Sequence, residues 1–293
     1  MLYLSLAIAC GTLYSILFKL FACRGVDSLQ AIAFNYLTAF VLGGVVNGAS
    51  EGLTTMPAVA WWLSAVVLGV MFMGAFVLMA RSTARSGVTI TTAASRVSLV
   101  LPVVGAWLLW PEGESVRWTA IAVIVCALVL MLVPRAHKVA ETEVKDNRPH
   151  GGMSLWLYPL GVWVLFGLNN FGLKWAQERF VGPEESAAYS AMIFLFAGVA
   201  AWLWWLVGSK GPKRVTLRNM GGGVALGVAN FGVTYFMLRG LAQMSATTFF
   251  PIYHTSIVAL VAMVGVGAFG ERLAWWQIVG LVMAVAGVVM MFV

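Results

Sequence analysis

The chain has 293 residues, of which 61% are hydrophobic and only 10% are charged, and its formal net charge is +7. Apolar stretches of about 20 residues recur along the whole chain, and each is long enough to cross a hydrocarbon core of roughly 30 Å. This composition excludes a soluble globular domain and predicts an all-α polytopic membrane protein.

Ten apolar stretches predict ten transmembrane helices separated by short polar segments. Their ranges in chain order are 2–21, 29–47, 57–79, 88–110, 118–134, 154–173, 184–207, 220–241, 245–269 and 275–292. Only residues 135–153 and 208–219 form linkers with a soluble character, and neither is long enough for a domain.

Basic residues are distributed unequally between the two sets of loops. Thirteen Lys and Arg residues lie in or beside the loops that follow odd-numbered spans, against four in the remaining loops. Because cytoplasmic loops carry the excess of basic residues, we expect the odd loops in the cytoplasm and both chain ends outside a cell inner membrane. The positive net charge follows from this topology, so a nucleic-acid partner is not expected.

The second half of the chain repeats the first. The matched pairs, at offsets of 155 to 158 residues, include Tyr3 with Tyr158, Gly43 with Gly198, Gly69 with Gly227, Arg81 with Arg239, Thr89 with Thr247 and Trp118 with Trp275. Each half contains five predicted spans, and an odd number makes the halves cross the membrane in opposite senses. We therefore predict two inverted five-helix repeats, residues 1–134 and 154–293, joined by a cytoplasmic linker at 135–153.

Four predicted spans carry a polar stripe, because their polar residues are spaced so as to share one helical face. The stripes are Thr12, Ser15 and Lys19; Thr89, Thr92 and Arg96; Trp163, Gly167, Asn170 and Lys174; and Thr247, Pro251 and His254. They occupy corresponding places in the two halves, as a cavity lined from two sides would require. Substrate contacts are therefore predicted for Ser15, Thr89, Asn170 and Thr247.

Arg96 and His254 are the ionisable members of these stripes that lie deepest. With a rise of about 1.5 Å per residue, Arg96 lies roughly 12 Å into its span and His254 roughly 13 Å, so both approach the midplane. Such a group marks a solute pathway by default, and a guanidinium can hold a carboxylate or phosphate. Two alternatives stay open: Arg96 could bond backbone carbonyls at a helix kink, and His254 could be a neutral hydrogen-bonding group rather than a proton carrier.

Trp163 and Tyr253 are the aromatic candidates for the wall of the cavity. Trp163 lies inside a span on the Asn170 face, with plain packing as its alternative, whereas many other tryptophans lie near span ends as interfacial anchors. Lys19 and Lys174 lie near span ends, so we expect both ammonium groups to reach the membrane interface.

Acidic residues are absent from the interior of the predicted spans, since all eleven fall in loops or at span ends. A cation exporter that works through a membrane glutamate is therefore disfavoured, although an aromatic cage could still bind a quaternary ammonium ion. The sequence has no phosphate-binding loop or Ser-His-Asp grouping, and its three cysteines show neither metal-ligand spacing nor a pairing pattern. We predict neither an enzyme nor a bound cofactor or metal.

Ten spans in a five-plus-five repeat, with Gly113-Glu114 and Gly270-Glu271 at the ends of spans four and nine, resemble the EamA-like branch of the drug/metabolite transporter superfamily. The resemblance implies a secondary transporter whose central cavity is built mainly from the first four spans of each half. Pro102 and Pro251 depart from the repeat, because neither has a proline at the matching position. Together with Pro159 they predict kinks or hinges inside spans.

The expected function is alternating-access transport of a small metabolite with an anionic group, with amino acids and other carboxylates first. The expected partners are this solute and the lipid bilayer; a monomer is expected and a dimer stays open. The alternatives are a transporter of organic cations held by aromatic rings, and a membrane scaffold or receptor that transports nothing.

Overall fold

The computed structural model describes residues 1–24, 26–49, 58–86, 88–111, 116–133, 154–208, 215–270 and 273–291. Within these ranges the chain forms eleven α-helices and one 3-10 helix, and no residue there lies in a strand. The all-α fold class is therefore confirmed for the described residues. The predicted linker at 135–153, Glu114, Glu271 and Val293 lie outside them.

Each long apolar stretch becomes a helix, because a helix satisfies its backbone hydrogen bonds internally. In chain order the helices are α1 (Leu2–Arg24), α2 (Ser28–Ala49), α3 (Val59–Ser86), α4 (Val88–Val97), α5 (Val100–Leu109), α6 (Trp118–Leu132), α7 (Ser154–Arg179), α8 (Ser186–Gly208), α9 (Leu217–Leu241), α10 (Ala246–Phe269) and α11 (Trp275–Met290). The 3-10 helix, Pro183–Glu185, directly precedes α8.

Six segments of the described helices are long and apolar enough to cross a membrane. They are Gln30–Gly48, Val59–Thr83, Ile90–Leu109, Pro183–Trp204, Leu217–Leu241 and Ala246–Ala268. Shorter apolar segments lie in α1, α6 and α11. These helices identify a multi-pass membrane protein, while the total of ten spans and their inverted arrangement stay predictions.

The predicted span 88–110 is broken into α4 and α5 at Ser98 and Leu99. Pro102 explains the break, because proline has no N–H to donate to the Ser98 carbonyl four residues earlier. The Leu101 N–H donates to that carbonyl instead, at 3.1 Å, and the Leu99 N–H donates to the Arg96 carbonyl at 3.3 Å. The chain therefore changes helix just after Arg96.

Pro159 and Pro251 lie inside α7 and α10, and both helices continue past them. Kinks or hinges at these two prolines stay predictions. α7 also extends beyond the predicted span end at residue 173, since it continues to Arg179. Lys174 and Glu178 therefore lie within the last two turns of α7.

Two compact units divide the chain, and unit 1 comprises Met1–Met73 and Gly172–Ser245. In it α2 packs against α8 and α9, and α1 packs against α9. The largest fully buried side chains of its core include Tyr36, Trp61 and Tyr189.

Unit 2 comprises Gly74–Phe171 and Ala246–Val293. In it α6 packs against α4 and α11, and α10 packs against α5, α6 and α11. A buried cluster of Ala127, Met131 and Ala284 joins α6 to α11. Each unit takes segments from both predicted repeats, so the repeat boundaries at 134 and 154 stay a prediction.

Close helix crossings in unit 1 recur at positions related by the sequence repeat. A Cβ added at Gly69 would lie 2.7 Å from the Ile193 carbonyl oxygen, and one at Gly227 would lie 2.6 Å from the Thr38 Cβ. Gly69 and Gly227 match at an offset of 158, and Thr38 and Ile193 correspond at the offset of 155 that relates their spans. Each of the two matched glycines thus lies against one of two corresponding positions, Thr38 or Ile193, and the inverted repeat that would explain this stays a prediction.

Candidate functional site

Within unit 2, α7 and α10 meet through a hydrogen bond between two predicted site residues. The Asn170 Nδ2 donates to the His254 Nε2 at 3.4 Å, which requires the tautomer with the ring proton on Nδ1. Gly167, three residues earlier on α7, packs against the Leu101 side chain of α5. The predicted polar face of α7 therefore contacts both α5 and α10.

His254 is buried, with 4% of its surface exposed, and aromatic rings lie against it. The Phe250 ring stacks on the imidazole at a centroid distance of 6.4 Å, and the Tyr253 ring meets it edge-on at 5.1 Å. The second ring nitrogen, Nδ1, is buried without a hydrogen-bond partner among the described residues. Because a buried polar atom is costly unless it is bonded, Nδ1 is a place where a ligand group or water can bind.

Arg96 lies in the last turn of α4, beside the break between α4 and α5. A cation at a helix C-terminus is stabilised by roughly 0.3–1 kcal/mol, since the helix dipole presents its negative end there. The charge of Arg96 acts on the imidazole of His254, and both residues belong to unit 2. A structural contribution at the break and a ligand-binding role are both compatible with this position.

The other predicted site residues of unit 2 differ in their surroundings. Thr247 is fully buried in the first turn of α10, and Tyr253 is 5% exposed with its ring stacked on that of Phe249. Trp163 is half-buried on α7. Thr89 belongs to α4, but its side chain lies outside the described part of the structure. A single cavity lined by all of these residues stays a prediction.

Ser15 is the predicted site residue that belongs to unit 1. Its hydroxyl donates to the Gly11 carbonyl at 2.9 Å, which is a bond within α1. Thr12 on the same stripe is buried, and the Lys19 side chain lies outside the described part of the structure. A contact between Ser15 and a solute stays a prediction.

The interfacial position predicted for Lys174 is wrong. Its side chain is only 3% exposed, and its Nζ lies 2.5 Å from the Oε1 of Glu178 one turn later. A lysine near a span end normally extends its stem to keep the ammonium group in water. Here the carboxylate of Glu178 gives the ammonium group a partner inside the protein.

A buried amide pair in unit 1 has no counterpart among the sequence predictions. The Asn230 Nδ2 on α9 donates to the Asn35 Oδ1 on α2 at 3.2 Å, and the two residues are 5% and 0% exposed. The Asn35 Nδ2 has no hydrogen-bond partner among the described residues. Thr38 follows Asn35 by three residues and Thr234 follows Asn230 by four, so helical spacing of polar residues was a signal for this pair in the sequence.

The cluster of Arg96, Asn170 and His254 combines a positive charge with hydrogen-bonding N–H groups. Arg96 has a permanent charge and five N–H donors, and the amide and the imidazole add further donors. Within the described ranges, no group of three or more His, Cys, Asp or Glu side chains could hold a metal ion. The cluster suits an organic group that accepts hydrogen bonds, and an anionic one best.

Known proteins resemble this chain in sequence and in fold. Residues 154–293 match the model of the EamA-like transporter family. An uncharacterized protein of Haemophilus influenzae is 23% identical over 288 residues, which cover 96% of this chain and 94% of the relative. A crystal structure of another protein, 15% identical in sequence, aligns with a TM-score of 0.75 over 99% of this chain and 96% of its own. The family match confirms the resemblance drawn from the sequence, and the crystal structure shows a shared fold.

Proposed function

We propose, from the match of residues 154–293 to the EamA-like transporter family, that the chain is a secondary transporter of a small metabolite that bears a carboxylate. Amino acids are the first candidates in this class. The proposed route is alternating access through a central cavity, across the cytoplasmic membrane of the cell.

The observation that carries the proposal is the cluster of Arg96, Asn170 and His254 in unit 2. His254 is 4% exposed, lies 3.4 Å from the Asn170 amide and has an Nδ1 atom with no bond to a described residue. Ionisable side chains are costly inside a membrane, and membrane proteins keep them chiefly along solute pathways. The cluster therefore supports a pathway for a solute that accepts hydrogen bonds.

A carboxylate is the favoured cargo group because its two oxygens can accept parallel hydrogen bonds from a guanidinium. Arg96 stays charged throughout the physiological pH range, and the imidazole of His254 can donate a further bond. The interiors of the predicted spans contain no acidic residue.

Alternating access is supported by the helix break and by the repeated crossings. Many transporters bind their cargo where a membrane helix is discontinuous, and Arg96 lies at such a place between α4 and α5. The crossings at Gly69 and Gly227 share one pair of corresponding positions, Ile193 and Thr38. Two repeats that exchange roles between an inward and an outward state would have this relation.

The orientation is proposed from the distribution of basic residues. Residues 135–153 would then lie in the cytoplasm, and a reporter fused after Val293 should be active outside it. Cytoplasmic activity of that fusion would reverse the orientation.

Reconstitution into sealed liposomes tests transport itself. The purified protein should carry at least one labelled carboxylate from a panel of amino acids, organic acids, nucleosides and quaternary amines, and protein-free liposomes are the control. A thermal-shift screen with the same panel narrows the choice, because a ligand that binds only the folded state raises its stability. A well-folded protein that moves no member of the panel would instead indicate a scaffold or receptor.

A quaternary amine is the second candidate cargo, because aromatic rings lie close together on α10. Phe249 stacks on Tyr253 at 5.9 Å, and Phe250 and Tyr253 both contact His254. Aromatic faces attract such cations, whereas the charge of Arg96 repels them. Tighter binding of a quaternary amine to an Arg96→Gln variant would favour this candidate.

A further inference from the structure

Lys174 and Glu178 form an ion pair on consecutive turns of α7, within unit 1. The Nζ and Oε1 atoms lie 2.5 Å apart, and the side chains are 3% and 34% exposed. The ammonium group is thus inside the protein, while its partner carboxylate is partly in contact with the surroundings.

Helix stability does not explain this pair. A lysine that precedes a glutamate by four residues is the less favourable order for such a pair on a helix. Glu178 also lies in the last turn of α7, where the helix dipole disfavours a negative charge. A buried ammonium group loses its hydration as well, and ion pairing does not reliably make up for that loss. A buried charge kept under these conditions indicates a functional role.

We propose that the Lys174 ammonium group is a carboxylate-binding station in unit 1, and that Glu178 occupies it as an internal carboxylate when no external one is present. The station rests on the proposed function, since its ligand class is that of the proposed cargo. Binding is an exchange of one carboxylate for another at Nζ, and no covalent bond or proton transfer is involved.

The unequal burial of the two side chains determines which of them moves. Glu178 is 34% exposed and near the end of α7, so its carboxylate can turn into the surrounding water. Lys174 is 3% exposed and keeps its position. A small external carboxylate can then take the place of the Glu178 carboxylate, with the same charge and the same hydrogen-bond acceptors.

The internal carboxylate belongs to the second half of the chain alone. Lys174 corresponds to Lys19 at the offset of 155, but Glu178 corresponds to Cys23. In the orientation proposed from the basic loops, the end of α7 faces outward. The station would therefore meet carboxylates on the outer side of the membrane.

Chemical rescue with acetate tests the station in the full-length protein. Glu178→Ala removes the internal carboxylate, and acetate is then titrated against the melting temperature, with equal concentrations of chloride as the reference. Acetate at several times its dissociation constant should raise the melting temperature of the variant by roughly 2–4 °C more than chloride does. The wild-type protein should respond less, because Glu178 competes for the same ammonium group.

Two control variants make the result specific to Lys174. The double variant Lys174→Met/Glu178→Ala should lose the acetate response. Glu184→Ala should show none, although it also removes a carboxylate from an ion pair of unit 1, that with Arg239 at 3.6 Å. If Glu178→Ala does not fold, Glu178→Gln removes the same charge with little change of volume and enters the same titration.

An acetate response no larger than that to chloride, or one that persists in the double variant, would overturn the station. The readout is thermal stability, so it does not depend on transport or on Arg96. Loss of carboxylate uptake on Arg96→Gln with no acetate response in Glu178→Ala would leave the proposed function standing and remove the station. An acetate response without any carboxylate uptake would leave the station standing and remove the proposed function.

Discussion

The segments that carry Arg96 and His254 match in the sequence repeat but differ in construction. α4 and α5 together cover one predicted span and are separated at Ser98 and Leu99, whereas α10 is continuous from Ala246 to Phe269. Each segment contains a proline, Pro102 in the first and Pro251 in the second.

The position of the proline accounts for the difference. Pro102 lies near the middle of its span, where the missing N–H interrupts a hydrogen-bond ladder with turns on both sides. Pro251 is the sixth residue of α10, so little of that helix precedes it. The Ser98 hydroxyl adds to the break, since it donates to the Ser95 carbonyl at 2.7 Å.

The comparison shows how one sequence pattern produces two different environments. Arg96 comes to lie at a helix C-terminus, where the backbone dipole supports its charge. His254 lies inside a continuous helix, buried among aromatic rings and bonded to Asn170. We therefore propose that Arg96 recognises the charge of the cargo and that His254 contributes a hydrogen bond.

Removal of the Arg96 charge at the end of α4 should have the largest effect on transport. Arg96→Gln should lower carboxylate uptake by roughly 10- to 100-fold, since a hydrogen bond to a charged group contributes about 1.5–3 kcal/mol. Arg96→Lys keeps the charge but loses the planar fork, so it should lose less. Arg117→Gln is the matched control, because Arg117 is exposed and donates to the Met290 carbonyl. Uptake per folded molecule that is equal in Arg96→Gln and Arg117→Gln would contradict this assignment.

The close helix crossings at Gly69 and Gly227, which match in the sequence repeat, can be tested by adding a Cβ at each glycine. Gly69→Ala and Gly227→Ala should each lower the free energy of unfolding by roughly 1–3 kcal/mol, because each new Cβ would overlap a backbone carbonyl of a facing helix. Gly44→Ala is the control, since no atom lies within 4 Å of a Cβ there. Melting temperatures in detergent measure the effect. If Gly227→Ala lowered the melting temperature and Gly69→Ala did not, the two crossings would not be equivalent.

Restoring the N–H at the break should affect turnover more than stability. Pro102→Ala allows a bond to the Ser98 carbonyl, so α4 and α5 should join and the turnover of transport should fall by a few-fold, with the melting temperature unchanged or raised. Pro251→Ala is the matched variant and should change turnover less, because α10 is already continuous. Equal losses of turnover in the two variants would mean that the break has no special role.

Among these variants, substitution of Asn170, the hydrogen-bond partner of His254, should have the smallest effect on transport. Asn170→Ala should weaken cargo affinity by about 2- to 10-fold, since a neutral hydrogen bond contributes about 0.5–1.5 kcal/mol. Leu168→Ala serves as the control on the same helix, because Leu168 is 41% exposed. The dissociation constant of the cargo is the measurement. A loss above 100-fold in Asn170→Ala would shift the main role from Arg96 to this pair.

The helical fold could be predicted from sequence because a membrane requires long apolar segments with internally bonded backbones. The end of α7 could not be predicted from sequence. Lys174 and Glu178 lower the local hydropathy, although the helix continues through both. Their spacing of four residues is visible in the sequence, but their burial depends on neighbouring helices.

The candidate site was predictable only where it follows a helical period. Asn170 and His254 belong to polar stripes, and the structure brings them together. The Asn35–Asn230 pair joins residues that are 195 positions apart, so recognising it required the packing of α2 against α9. The aromatic rings at His254 follow from a spacing of four residues to Phe250, which can be recognised once the helix is known.

Recognition of the cargo carboxylate by Arg96 is tested most directly by a cycle that combines one change in the ligand with one in the protein. The dissociation constants of an amino acid from the uptake screen and of its neutral amide are measured by calorimetry with the wild-type protein and with folded Arg96→Gln. We predict that the wild-type protein prefers the carboxylate by at least roughly 10-fold and that Arg96→Gln loses this preference. An equal preference in the two proteins would show that another residue recognises the charge.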